Sequence, residues 1–296
     1  MTVTSLSQPL PALTTPTQSS LLRDFVRRIQ RSWSARIGAT IIVVLILCAI
    51  FASTLAPFDP TTLGPDPLNP PSAKYLFGTD FGGRDIFSRV LFGARLSLLV
   101  GLISVSIASV IGVTVGLCAG YYGGWVDTLL MRTIDVMLAF PGILLAIAIV
   151  SMLGPGLTNL MIAVGISAIP SYARISRGSV LSAREELYVT AAQSIGVSNR
   201  RILLLHILPN IFAPLLVTAT LGIGTAMLSA AALSFIGLGD QPSTPEWGRM
   251  LSEGRQYLRD QAWVATFPGL AIMLSVLAMN LLGDGLRDAL DPRLKT

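Results

Sequence analysis

A serine and a histidine are the first side chains to weigh for chemistry. Ser167 sits in Gly165-Ile166-Ser167-Ala168, near the G-x-S-G setting of an intramembrane serine protease but lacking its last glycine, and His206 is the sole histidine. A nucleophile and its base need hydrogen-bond reach, roughly 3 Å. Ser167 falls deep in one apolar run and His206 at the rim of another, so the layout argues against such a pair. A phosphate-cradling loop is missing too: the only lysines, Lys74 and Lys295, follow no G-x-x-x-x-G-K pattern. Cys48 and Cys118 lie in apolar runs, away from any metal-ligand spacing, and read as small buried hydrophobes. The expectation is a chain that is not an enzyme and binds no cofactor or metal itself.

The elements that would position these residues are membrane helices. Apolar residues make up 52% of the chain and charged ones 12%, about half the charged fraction usual in soluble domains. The apolar residues come in runs long enough to cross a hydrocarbon core, which needs about 20 residues. Six spans are predicted, near 37–56, 94–119, 129–153, 157–178, 207–236 and 264–283. The net charge of +5 forms no continuous stripe, which speaks against nucleic acid as a partner. Basic residues cluster instead at the ends of apolar runs. Fourteen of the twenty-one fall on one side, which places both termini in the cytoplasm.

The expected organisation is a cytoplasmic tail over 1–35, rich in Ser, Thr, Pro and Gln through its first 20 residues and expected to be disordered there, and a first transmembrane helix over 36–56. An extracytoplasmic insert follows over 57–92, ending in an amphipathic helix from Arg84 to Phe92. A core over 93–296 then carries five further spans and a cytoplasmic loop at 179–206. Within the second span, Ser104, Ala108, Gly112, Gly116 and Gly120 recur every four residues and form a ridge for close packing, either generic or beside a translocation path. Pro141, Pro170, Pro209 and Pro214 permit bends. Arg132 and Asp135 are placed to pair on one helix face, easing the cost of charge near lipid.

The most informative stretch runs from Leu187 to Asn210. Tyr188, Ala191, Ala192 and Ile195 recur at spacings of three and four and are predicted on one helix face. Gly196 breaks that helix, Asn199, Arg200 and Arg201 open the next, and Leu208-Pro209 lead into the bilayer. A short surface helix, small on one side and hinged at glycine, suits docking into another protein's cleft.

This stretch resembles the cytoplasmic loop of ABC-importer permeases, E-A-A, three residues, Gly, nine residues, I-x-L-P. Ala191, Ala192, Gly196, Leu208 and Pro209 match, while Thr190 replaces the Glu and His206 the Ile. Three further blocks resemble the dipeptide/oligopeptide/nickel-type permeases: Phe77-Gly78-Thr79-Asp80 with Gly83-Arg84-Asp85, then Ser234 to Gly239 with Pro245-Glu246-Trp247-Gly248, and Asn280 to Asp288 with Asp291-Pro292. In the first of these three blocks Gly78 and Gly83 would allow tight turns, and Asp85 could pair with Arg89. Asp85, Arg89, Glu246 and Trp247 are expected at a gate or a surface meeting a binding protein, or in a structural cap, with Trp247 a potential interfacial anchor.

The resemblance implies an all-α, six-helix, type I importer permease fold in a bacterial inner membrane. It implies a second homologous permease in a heterodimer, two ABC ATPase subunits holding ATP and magnesium, and an extracytoplasmic substrate-binding protein. The expected coupling residues are Tyr188, Ala191, Ala192, Ile195, Gly196, Arg200, Leu208 and Pro209. Peptides or glutathione-like solutes are the expected cargo. A secondary transporter is the rival. It would need ionisable or broken-helix groups at the midplane, whereas the span centres hold no Asp, Glu, Lys or Arg and show no inverted repeat. Sodium bound by carbonyl and hydroxyl oxygens alone would still be compatible with it.

Overall fold

The computed structural model describes residues 32–239 and 243–290. The expected disordered tail, its arginines from Arg23 to Arg31, and Asp291 to Thr296 lie outside these residues. Helices α1 (Trp33–Ile50), α2 (Ile86–Tyr122), α3 (Gly124–Leu138), α4 (Gly142–Leu153), α5 (Leu157–Arg184) and α6 (Leu187–Ser194) come first. They are followed by α7 (Leu208–Phe235), α8 (Trp247–Gly254) and α9 (Trp263–Leu290). Among the described residues there is no strand, as expected where lipid offers backbone groups no hydrogen-bond partner.

The expected six spans are not matched one for one by uniformly apolar helices. Among the described residues, four helical stretches are long and apolar enough to cross a membrane: Trp33–Ile50, Ile86–Tyr122, Asn199–Phe235 and Trp263–Leu290. A fifth exists if α3 and α4 form one broken span, because they meet at 88°. The continuous span predicted at 129–153 is therefore bent at Pro141, which lacks an N–H and holds an extended conformation (φ −53°, ψ 132°). The predicted span at 157–178 does fold as one helix, α5, but its three arginines and its hydroxyls leave it too polar to qualify.

The separate amphipathic helix expected from Arg84 to Phe92 is absent. Residues 86–92 are the first turns of α2, which continues unbroken for 37 residues, roughly 55 Å at 1.5 Å per residue. No proline interrupts it. Asp85 caps its start, accepting from the Ser88 N–H at 2.8 Å and the Ser88 hydroxyl at 2.6 Å, a kind of cap worth about 1 kcal/mol.

The bundle is built on close backbone approach. Lipid tails are as apolar as leucine, so helices associate through packing rather than water exclusion. The ridge Ser104, Ala108, Gly112, Gly116 and Gly120 is wholly buried, and α5 lies along it. The Ser104 hydroxyl donates to the Met161 carbonyl at 3.0 Å. A Cβ at Gly112 would come within 2.6 Å of the Tyr172 Cβ, and one at Gly120 within 2.9 Å of the Val180 Cβ. Helix α1 docks on α9 in the same way, with Gly38 against the Ala278 carbonyl and Gly285 against Ala35.

The expected pairing of Arg132 with Asp135 is replaced by a bond between helices. Asp135 accepts from Arg174 at 2.8 Å, because α5 brings that guanidinium across from the neighbouring helix. Beside it, Arg177 grips Asp127 through two bonds of 2.6 Å. Planar guanidinium and carboxylate match in such a fork.

Candidate functional site

Two polar constructions stand at opposite ends of α2. At its C-terminal end lies the segment 187–210. Helix α6 crosses there between α5 and the long stretch Asn199–Phe235. Its underside is Val189 and Ala192, packed into a cluster with Val180, Ala183, Ile202, Leu203 and Ile207. Its outer face carries Leu187 (85% exposed), Tyr188 (37%), Ala191 and Ile195 (81%). The prediction that Ala192 shares the outer face is corrected: it is 5% exposed and points into the bundle, one residue round the helix from Ala191.

Gly196 ends α6 in a Schellman turn. With φ at +78°, its N–H donates to the Gln193 carbonyl and that of Val197 to the Ala192 carbonyl, both at 3.0 Å. The left-handed backbone is what requires glycine here. The chain then turns at Ser198, and Asn199 accepts a hydrogen bond from the Tyr121 hydroxyl at 2.9 Å. Arg184 donates to the carbonyls of Gly120 (3.3 Å) and Tyr121 (3.1 Å), satisfying the exposed end of α2. Arg200 is exposed. Residues Ile202–Ile207 form a π-helical turn directly before Leu208 and Pro209. Proline cannot donate to the preceding turn, and the widened segment absorbs the mismatch. The Asn210 amide donates to the His206 carbonyl at 2.6 Å. Spacing alone did not reveal the anchors Val189, Ile202 and Ile207, nor the Tyr121–Asn199 and Arg184 contacts, because each depends on which helix becomes the neighbour.

At the N-terminal end of α2, the insert and α8 close on each other through buried charge. Asp80 accepts from Arg84 Nε at 2.7 Å and lies 3.6 Å from Arg89 Nε. Glu253 takes Arg84 at 3.3 Å, Arg89 at 3.4 Å and Arg249 at 3.4 Å. Arg89 also donates to the Pro60 carbonyl. Burial pushes the Glu253 carboxyl up, and the Arg89, Arg84 and Arg249 guanidiniums offset only part of that rise. Of the acidic half of this knot, Asp80 enters the sequence reading only as part of a family block and Glu253 not at all.

The expected Asp85–Arg89 pair is not formed. Asp85 is committed to capping α2, and Arg89 faces Asp80 and Glu253. Glu246 likewise caps α8, accepting from Gly248 at 2.8 Å and Arg249 at 2.7 Å. Trp247 is 1% exposed, and its indole donates to the Val90 carbonyl at 2.9 Å, so it is a core residue rather than an interfacial anchor. Asp85, Arg89, Glu246 and Trp247 are all buried within the chain. They build the cap. Gly78 and Gly83 do make its tight turns, at φ +76° and +72°.

Ser167 and His206 do not bond to each other. The serine hydroxyl donates to Val164 at 2.9 Å, and His206 Nδ1 lies 3.3 Å from the Arg201 carbonyl.

Known proteins match this architecture. Residues 112–296 match the family described as binding-protein-dependent transport system inner membrane component, and residues 20–71 match the N-terminal TM domain of oligopeptide transport permease C. The chain is 51% identical over 275 residues to a dipeptide transport system permease protein DppC of Alkalihalophilus pseudofirmus, covering 93% of this chain and 90% of that one. It is 47% identical to a di/tripeptide transport system permease protein DppC of Pseudomonas aeruginosa (96% and 95% covered). It is also 52% identical to a glutathione transport system permease protein GsiD of Escherichia coli (92% and 90% covered). A chain of the MetNI methionine ABC transporter, solved in inward-facing conformations, superposes with a TM-score of 0.55 at 20% identity, over 69% of this chain and 97% of that one. The shared fold is that of type I importer permeases. With its family matched over most of its length and its relatives nearly coextensive with it, the chain belongs to the inner-membrane components of binding-protein-dependent transport systems.

Proposed function

We propose that this chain is one of two permease subunits of an ATP-driven peptide importer, with di-/oligopeptides or glutathione-like solutes as cargo. It lines half of the path and receives force at α6 from one of two ATPase subunits. ATP and magnesium belong to those subunits, and an extracytoplasmic binding protein delivers the solute. Both termini and the 187–210 segment are cytoplasmic, consistent with the bias of basic residues. The reading is carried by the two-sided build of α6: Val189 and Ala192 fasten it to the bundle, while Leu187, Tyr188, Ala191 and Ile195 leave an apolar outer face uncovered. A face of that kind can pass a push to the bundle without unpacking it. A secondary transporter would have no use for it.

The test is Ile195→Glu in the assembled transporter in proteoliposomes. Peptide uptake and its coupling to ATP hydrolysis are expected to be lost, while insertion and melting stay as in wild type, because Ile195 is 81% exposed. Ala192→Glu is the contrast, since it should lower melting by placing charge in the packed underside. Wild-type uptake by Ile195→Glu would overturn the coupling role. Solute accumulation by the purified chain alone would favour the secondary transporter.

A further inference from the structure

Half-way along the bundle, between α2, α5 and α7, lies a cavity of about 360 Å³. Ser104, the central residue of α2, is on its wall. Seven of the fourteen lining residues carry a hydroxyl, and none is an Asp, Glu, Lys, Arg or His. The larger hollow of about 850 Å³ between α4, α7 and α9 has a single polar lining residue, Asn280. The two hollows differ in chemistry, and only the smaller one offers a solute hydrogen bonds along its length.

The direction of those bonds is set by the helices. Ser167 donates to the Val164 carbonyl at 2.9 Å, Thr218 to Pro214 at 2.8 Å and Thr225 to Gly222 at 2.9 Å. Ser104 donates to Met161, and the Tyr172 hydroxyl to Thr218 at 3.4 Å. A hydroxyl has one proton and two lone pairs, so five of the seven have committed their proton to backbone and keep only acceptor capacity. Ser171 and Ser229 are the two whose protons are not engaged with described residues. A carboxylate finds few donors on such a wall, whereas an ammonium or amide N–H finds many acceptors. Arg287 lines an adjoining hollow that shares Thr218 and Leu221 with the wall, and gives an anionic end a partner there.

We infer that this cavity is the chain's share of the solute path, and that its acceptor-rich wall selects solutes presenting N–H donors, the ammonium terminus and amides of a peptide, over anionic ones. A fixed carboxylate at mid-membrane would be expensive and would hold a cation too tightly to release it. Hydroxyl oxygens give a weak preference compatible with passage. The inference rests on the importer reading and adds to it which face of the bundle the solute meets.

Cysteine chemistry in the assembled transporter tests it. Cys48 and Cys118 are replaced by Ala, and Ser229→Cys and Thr225→Cys are made singly. Each is treated in membrane vesicles of both orientations, with and without ATP, with a cationic ethylammonium and an anionic ethylsulfonate methanethiosulfonate. The reaction rates are divided by those of the same reagents with 2-mercaptoethanol. A preference of about tenfold for the cationic reagent is expected, which is about 1.4 kcal/mol, the size of one or two net hydrogen bonds. No reaction in any condition would mean the cavity is not on a water path, and an equal or anion-favouring ratio would mean the wall does not select donors. Either result overturns the inference. Peptide uptake by the same vesicles is read alongside: cation preference without peptide uptake would remove the peptide reading and leave the cavity assignment standing, and uptake without preference would do the reverse.

Discussion

Tyr121 and Asn199 join the two halves of the corner around α6: the tyrosine hydroxyl at the end of α2 donates to the asparagine Oδ1 at 2.9 Å, across 78 residues of sequence. Tyr121 is buried in the same cluster as Val189, Ala192 and Ile202. The bond therefore fixes the segment after α6 to the helix that runs the full height of the bundle. Tyr121→Phe keeps the ring and removes the bond. The expected cost is about 0.5–1.5 kcal/mol, read as a lower melting temperature, together with fewer solutes moved per ATP hydrolysed. Unchanged coupling would show that the elbow is held by packing alone.

The packing of α2 on α5 predicts a sharp size limit. A methyl at Gly112 would stand 2.6 Å from the Tyr172 Cβ and 2.7 Å from the Ile169 carbonyl, both on the backbone side of α5, where little can yield. Gly112→Ala should destabilise by about 1–3 kcal/mol, the usual cost of overpacking. Gly142→Ala, which meets nothing within 4 Å, is the matched control and should melt like the wild type. Equal melting of the two variants would show that the ridge is not a tight contact.

The charge knot beneath α8 predicts non-additive mutants. Arg89→Met leaves Asp80 and Glu253 buried with one guanidinium fewer, and a broken buried pair costs about 3–5 kcal/mol. Combining it with Glu253→Gln should recover part of that loss, with an interaction of about 0.5–3 kcal/mol in a double-mutant cycle. Simple addition of the two losses would show that the groups do not sense each other.

In the insert, Asp59 accepts from the Thr61 hydroxyl at 2.6 Å and from the backbone of Thr61 (2.7 Å) and Thr62 (3.0 Å). The Thr61 hydroxyl, then these amides, lower its carboxyl from 3.8 to about 2. A carboxyl depressed on folding contributes fully above its ordinary value and loses that contribution as pH falls through the folded one. Asp59→Asn should therefore lower protection of the Thr61 and Thr62 amides from exchange near neutral pH. The difference from wild type should shrink as pH falls through about 2 and vanish below it. A difference that persists in acid would mean the turn does not depend on the ionised carboxylate.

Much of this was legible along the chain. Apolar runs announced most of the helices because each run had to satisfy its own backbone inside lipid, whatever its neighbours. The four-residue recurrence from Ser104 to Gly120 announced a packing ridge for the same local reason. Gly196 marked the end of α6 because its position demanded a left-handed turn. The errors share one cause. Asp85 with Arg89 and Arg132 with Asp135 were paired by helical spacing, but each charge found a partner brought by another element: Arg89 went to Glu253, 164 residues away, and Asp135 to Arg174. Trp247 looked like a membrane anchor until α8 folded it under Val90.

The sequence by itself determined the class of protein, the positions of most helices and the breaks between them, because these follow from hydropathy, helical period and the backbone limits of glycine and proline, all local. Only the tertiary structure decided which face of α6 is free, that Ala192 is inside and Ile195 outside, and that a hydroxyl-lined cavity lies between α2, α5 and α7. Those depend on which helices become neighbours. That choice belongs to the bundle as a whole, and no single stretch of sequence encodes it.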